Sequence, residues 1–460
     1  MTLERPQDRA FLGNVLHTPT RGQIEWLPDA LIEADGAGAI RAIHRRDSPH
    51  AAIVAARHRA AGTLIALEQG EYLLPGLVDL HVHAPQWPQL GLALDLPLED
   101  WLQACTFPLE ARYVDTEYAR RVYESLVDGL LANGTTTAMY FATIHLPATQ
   151  ALADICLRRS QRALIGRVAM DDPCQCPPFY RDASADVAEA ETRAFIDYVR
   201  SMAGNASGLI LPVITPRFIP ACTDALLTRL GDLAHQTRCH VQTHCSESDW
   251  EHGFVLARCG VTDTAALQRF GLLSRRAILA HGNLIDEPDV TAILEAGAGI
   301  AHCPLSNVYF SDAVFPVRHM LQRGVHVGLG TDIAGGASPS ILENARHAVI
   351  ASRSLESGVD PRLSRAERRS PDSRIDAATA FWLATAGGGI ALDLPIGTFR
   401  EGYQFDAIVL DAQTPDSNLK LDESATPETI LQRIVYHATR IDVKEVWVSN
   451  RRVHARQRAA

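Results

Sequence analysis

Along the chain, short apolar runs alternate with longer stretches in which apolar residues recur every three or four positions. The runs are GLVDLHVH (76–83), GTTTAMYFA (134–142), ALIGRVAM (163–170), LILPVITP (209–216), CHVQTHC (239–245), AILAH (277–281), GIAHCP (299–304) and VHVGLGTD (325–332). Each is rich in Val, Ile, Leu or Thr and nearly continuous in its apolar character, as strands covered on both faces are. Between them, segments such as TEYARRVYESLVDGLLANG and TDALLTRLGDLAHQT carry one apolar stripe at helical spacing, with polar residues on the opposite face. Eight such strand–helix units predict an α/β fold, a (β/α)8 TIM-like barrel. A doubly wound open sheet is the alternative. That fold usually opens on a Gly-rich phosphate turn, and no G-x-G-x-x-G occurs here.

The two ends of the chain have a different pattern. FLGNVLHT, DALIEADGAGAIRAI and GTLIALEQGEYLL near the start, and FDAIVLDA and VKEVWVSNRRVH near the end, are short alternating runs broken by Gly turns, which predict strands in hairpins. One reading is two unrelated terminal extensions. The preferred expectation is one small β-sandwich built from residues 1–74 and 388–460, with the catalytic barrel, 75–387, inserted between them.

Composition narrows the classes of function. The chain has 460 residues, 47% hydrophobic and 21% charged, as an ordinary globular protein has. Its formal net charge of -11 argues against a non-specific nucleic-acid binder, which needs a basic face. No window of about 18 apolar residues predicts a membrane span. The start, MTLERPQDRAFLGN, lacks the basic-then-apolar order of a signal peptide. The nine cysteines are odd in number and scattered, which fits a reducing cytoplasm better than a disulfide framework. Cys174 and Cys176 form a lone C-x-C, read here as part of a Pro-rich loop.

Chemistry is expected at the C-terminal ends of the barrel strands. The first ends in His81 and His83, which a period of two places on the same side. The fifth ends in His244, followed closely by Glu247. The sixth ends in His281 and the eighth in Asp332. Singly, each has a bland reading: a lone His is more often a hydrogen-bonded core residue, and an Asp can cap a helix. His240, His302 and His326 are assigned to packing or hydrogen bonding in that way. Together, the six residues share one position across four strand units, and imidazoles with a carboxylate suit Zn²⁺ or Fe²⁺. No G-x-S-x-G elbow, phosphate-binding G-x-x-x-x-G-K-[ST] loop or H-x-E…P-C-x-x-C signature competes with this reading.

These residues resemble the amidohydrolase superfamily and, within it, the guanine deaminase family. PGLVDLHVHAPQWPQLG, PLEDWLQACTFPLEARY, GTTTAMYFATIH, TPRF, HVQTHCSE, LAHG, HCPLSN and GTDIAGG match that family in order. The resemblance implies one metal ion per chain, Zn²⁺ or else Fe²⁺, held by His81, His83, His244 and Asp332. It implies that Glu247, His281 and Asp332 are catalytic, with Asp332 and His281 orienting the attacking water and Glu247 passing its proton to N3 of guanine. It places Gln86, Trp87, Arg217, Phe218 and His244 against the substrate. It also implies a homodimer; the charge and the apolar pattern above add the expectation of no nucleic-acid and no membrane partner. A related hydrolase acting on another amino-heterocycle (a pterin, a triazine or an oxidised guanine) is the second reading, and a non-catalytic scaffold the third. Trp87 stands where the family often has Tyr, NVYFSDAVFP lacks a Gly-rich turn, and MDDPCQCPPFYRD differs from a usually shorter loop. All three departures bear on substrate preference.

Overall fold

The computed structural model describes residues 7–422 and 424–456. The N-terminal region forms β1 (Arg9–Thr20), β2 (Gln23–Ala34), β3 (Ile40–His44), β4 (Leu64–Ala66) and β5 (Glu71–Pro75). The barrel strands follow as β6 (Leu77–His83), β7 (Thr135–Phe141), β8 (Arg162–Ala169), β9 (Ile210–Pro216), β10 (His240–Cys245), β11 (Ala277–His281), β12 (Gly299–His302) and β13 (His326–Leu329). The C-terminal region adds β14 (Ala407–Asp411), β15 (Val443–Val448) and β16 (Arg451–Ala455).

Each of the eight apolar runs is a barrel strand, its ends placed to within three residues. Neighbours in the sheet are neighbours in the chain, from β6 through β13, and the pairing is parallel throughout. This consecutive order excludes the doubly wound alternative, whose strand order reverses. Two bonds beyond the end of β13 close the barrel: Asp332 N donates to the His81 carbonyl (2.8 Å), and His83 N to the Ile333 carbonyl (2.9 Å). The amphipathic stretches become the outer helices. Thr116–Ala132 is capped by Asp115, whose side chain accepts from the Glu117 and Tyr118 amides, and Asp224–Thr237 is capped by Thr223.

The terminal strands join into one sheet of order β16-β15-β14-β5-β1-β2-β3, with β4 also pairing β1. The sheet forks at β1: one edge takes β2, and the other takes β4 at Ala10–Leu12 and β5 at Asn14–Val15. The two ends of the chain mesh where β5 runs antiparallel to β14, Pro75 opposite Ala407 and Glu71 opposite Asp411. Phe11 and Phe405 stack at 4.2 Å beneath Trp447, which meets Phe11 edge-on at 5.0 Å. The buried Arg162 of β8 reaches Asp406 at 3.2 Å and Ser449 Oγ at 2.8 Å, tying barrel to sheet. Pro49–Ala60 is a helix where hairpins were expected. Pro at its first turn and five alanines favour that outcome. No helix among the described residues is long and apolar enough to cross a membrane.

Candidate active site

The C-terminal rim of the barrel carries the expected cluster. Alternation along β6 sets His81 and His83 on one side, their rings 4.8 Å apart. Glycines let the eighth strand approach them: a Cβ on Gly330 would lie 2.8 Å from the His81 Cβ, and one on Gly335 only 2.7 Å from Asp332 Oδ2. His281 and Asp332 themselves adopt left-handed φ of 72° and 49°. Such strain in non-Gly residues concentrates at functional sites.

Donor atoms converge. His83 Nε2 lies 3.1 Å from His244 Nε2 and 3.4 Å from Asp332 Oδ1, and His81 Nε2 lies 3.1 Å from the same oxygen. His244 Nδ1–H donates to the Arg217 carbonyl at 2.6 Å, so its Nε2 presents a lone pair to His83. Burial holds the His83 and His244 imidazoles well below their usual range, and lowers His81 in the same direction. Burial opposes ionisation of Asp332, but the imidazoles of His81, His281 and His83 beside it hold its carboxyl well below the usual carboxylate range. Among the buried atoms, His81 Nε2, His83 Nδ1 and His281 Nε2 have no hydrogen-bond partner. Buried imidazole nitrogens and an ionised carboxylate gathered in this way form a donor set that fits a divalent cation. His81, His83 and Asp332 form one cluster able to hold a metal ion, His81, His244 and His281 a second, and Glu247, His281 and Asp332 a third.

A second layer fixes these groups. Asp79, fully buried, accepts from Thr331 N (3.0 Å), Thr331 Oγ1 (2.6 Å) and His81 N (3.2 Å), bracing the end of β6 against the turn that carries Asp332. His281 Nδ1 meets Asn307 Oδ1 at 2.9 Å, which turns its Nε2 toward Glu247 Oε1 (3.6 Å) and Asp332 Oδ2 (3.9 Å). Burial pushes the Glu247 carboxyl up to about 7. A carboxyl in that range exchanges protons near neutrality.

Above the cluster lies a small pocket, lined by His83, His244, Glu247 and Asp332 below and by Gln86, Arg217, Phe218, Leu98, Trp101, Leu102 and Phe310 around its wall. A concave site with apolar walls and a few convergent polar groups is the usual form of a small-molecule site. Arg217 and Phe218 follow directly on β9, and the Phe218 ring stands 6.0 Å from His244. Arg217 and Gln86 are bonded to the buried Glu110.

Of the residues expected at the site, His81, His83, Gln86, Arg217, Phe218, His244, Glu247, His281 and Asp332 come together. Trp87 does not. It is half-buried, its Nε1 donates to Ser125 Oγ at 3.1 Å, and its ring rests on Gly129 of the helix Thr116–Ala132. The cause is the 3-10 turn Ala84–Gln89, in which residues three apart eclipse: Gln86 and Gln89 point inward and Trp87 outward. His240 and His326 bond the carbonyls of Leu392 (2.8 Å) and Gly297 (3.2 Å), and His302 packs 5.2 Å from Phe315, as packing residues. Asp79, Glu110, Trp101, Leu102 and Phe310 were not singled out by the sequence, although all lie inside segments quoted above. No local spacing rule marks them, since their partners are distant in the chain.

Residues 72–453 match the amidohydrolase family. The chain is 35% identical over 451 residues to a probable guanine deaminase of Schizosaccharomyces pombe, covering 96% of this chain and 83% of that protein. Its fold matches the structure of guanine deaminase from C. acetobutylicum with bound guanine in the active site, at a TM-score of 0.86 and 27% identity, covering 97% of this chain and all of that one. It also matches an adenosine deaminase from Xanthomonas campestris with bound zinc, at a TM-score of 0.80 and 25% identity, over 97% of this chain and 93% of that one. The chain belongs to the amidohydrolase family, among the guanine deaminases.

Proposed function

We propose that the chain is a guanine aminohydrolase, which replaces the C2 amino group of guanine by oxygen from water and releases xanthine and ammonia. The observation that carries this reading is the convergence of His81, His83, His244 and Asp332 beside Glu247, at the floor of a pocket walled by Arg217, Gln86 and Phe218. The relatives and the guanine-bound neighbour described above support the choice of substrate.

His81, His83, His244 and Asp332 would hold a divalent ion, proposed as Zn²⁺, which when bound supplies Lewis-acid activation of water. The water oxygen bonds to C2 as Glu247 accepts the water proton and delivers it to ring N3, which makes C2 tetrahedral. The remaining hydroxyl proton then passes to the amino nitrogen, the C2–N bond breaks, and ammonia leaves with a carbonyl at C2. His281 and Asp332 orient the water, His281 being aimed by Asn307. Arg217 offers only donors, which suit the carbonyl at C6 of guanine and are left unpaired by the amino group of adenine. Phe218 covers the purine face. The proposed setting is purine catabolism or salvage in the cytoplasm, by a homodimer.

Ammonia release measured across guanine, adenine, pterins and triazines tests the reading. Guanine is expected to be turned over with the highest kcat/KM. A pterin or triazine ahead of it would move the assignment to a related hydrolase, and no release from any of them would end the enzymatic reading.

A further inference from the structure

The pocket wall is organised around a carboxylate that does not line the pocket. Glu110 is fully buried and lies in a short helix, Phe107–Ala111, beneath the wall. Four donors converge on its two oxygens. Gln86 Nε2 (2.8 Å) and Arg217 Nη2 (3.2 Å) reach Oε1, and Arg217 Nη1 (2.7 Å) and Tyr180 Oη (2.7 Å) reach Oε2. Phe107, from the same short helix, lies 5.0 Å beneath the guanidinium. The other end of the Gln86 amide is fixed as well, since its Oε1 accepts from Ala334 N at 3.0 Å.

We propose that Glu110 is a positioning and specificity-determining residue: it fixes the donors of Arg217 and Gln86 for a neutral purine and cancels the charge of Arg217, so that the pocket does not retain the more acidic hydrolysis product. The proposal rests on the guanine reading above. Two steps carry it. The first is orientation. A guanidinium has five N–H groups in a rigid fork, and the pairing with Glu110 uses two of them, which sets the direction of the other three. A side chain already held in this way loses little freedom when it meets a ligand. The second is charge. An unpaired buried Arg attracts anions, whereas an Arg bound end-on to a carboxylate acts as a neutral donor array. Guanine is neutral. Hydrolysis puts a carbonyl and an N–H in place of the amino group at C2, and the resulting purine ionises more readily. With Glu110 present, the pocket gains nothing by holding that anion. Without it, the product is held at the expense of the substrate.

The test compares the wild type with Glu110→Gln, which keeps the size and removes the charge, and Tyr180→Phe, which removes one donor and keeps the charge. All three proteins are loaded with the metal and checked for metal content and thermal midpoint. KM and kcat for guanine, and Ki for xanthine as a product inhibitor, are then measured at mildly alkaline pH. In Glu110→Gln, the ratio of Ki for xanthine to KM for guanine is expected to fall by about tenfold or more, the scale of one buried charge-assisted interaction. KM is expected to change more than kcat. In Tyr180→Phe, which leaves the pairing of Glu110 with Arg217 in place, the ratio is expected to stay within about twofold. A folded, metal-loaded Glu110→Gln with the wild-type ratio would overturn the proposal, as would a Tyr180→Phe that shifts the ratio equally. The wild type alone gives a second test that survives failure of a variant to fold. Its Ki for xanthine is expected not to tighten as xanthine ionises with rising pH, and a tightening of about tenfold would overturn the proposal. A wild type that does not turn over guanine fails the functional reading instead, so the two failures are distinct.

Discussion

Asp79→Ala would remove a strut that no substrate touches, and its effects follow from three hydrogen bonds. In the wild type, Asp79 accepts from Thr331 N at 3.0 Å, Thr331 Oγ1 at 2.6 Å and His81 N at 3.2 Å, and the carboxylate is fully buried. The Thr331 hydroxyl can rotate toward another acceptor, but the two amides cannot. Each buried amide left without a partner costs about 1–3 kcal/mol, so Asp79→Ala is expected to lose roughly 2–6 kcal/mol. Asp79→Asn keeps an oxygen for the two amides and turns its NH₂ toward the hydroxyl, which can accept; it is expected to lose about 1 kcal/mol. Because the same bonds brace the ends of the strands bearing His81 and Asp332, Asp79→Ala is also expected to weaken metal retention by about 10–100-fold, the usual effect of losing a residue that orients a ligand. Thermal scans at one fixed rate give the order of stability, and metal retained after timed exposure to a chelator gives the second quantity. An Asp79→Ala protein as stable as Asp79→Asn, with undiminished metal retention, would refute the strut.

Glu247→Gln keeps the shape of the site and removes the proton carrier, so turnover of guanine should fall by about 10²-fold or more with metal content unchanged; near wild-type turnover would make Glu247 a structural neighbour of His244. Arg217→Ala should narrow the preference for guanine over adenine, measured as the ratio of their kcat/KM values, by about 10- to 100-fold. It should also lower the thermal midpoint, since it leaves the buried Glu110 charge without its main partner, a loss of about 3–5 kcal/mol. An unchanged ratio would remove Arg217 from the recognition of the purine. Trp87→Phe should leave kcat/KM for guanine within about twofold, because the indole bonds Ser125 outside the pocket and an exposed hydrogen bond contributes only about 1 kcal/mol to folding; a large loss of turnover would place that ring in the site after all.

What was legible in the sequence follows from how local each signal is. A strand covered on both faces writes itself as a continuous apolar run, so all eight barrel strands could be read, together with the polar residues at their ends: His81, His83, His244, His281 and Asp332. The helix Pro49–Ala60 was missed because its apolar positions form no strong stripe and Gly turns flank it on both sides. Trp87 was misplaced because nearness in sequence to Gln86 says nothing about direction until the 3-10 turn is known. Asp79 and Glu110 carry no local signature. Each is a single carboxylate in an apolar or mixed segment, and its role exists only through partners such as Thr331 and Arg217 that the barrel brings beside it. The family motifs contain both residues, but membership of a motif does not separate a group that touches substrate from one that holds another group in place.

The most direct test of the account is metal-dependent release of ammonia from guanine. The purified protein, its metal content measured, is stripped with a strong chelator, assayed with guanine, then reloaded with Zn²⁺ and assayed again beside His83→Ala treated in the same way. The account predicts close to one tightly held divalent ion per chain, loss of ammonia release on stripping, recovery on reloading, and neither metal nor recovery in His83→Ala. Undiminished release of ammonia from guanine by the metal-free protein would contradict it.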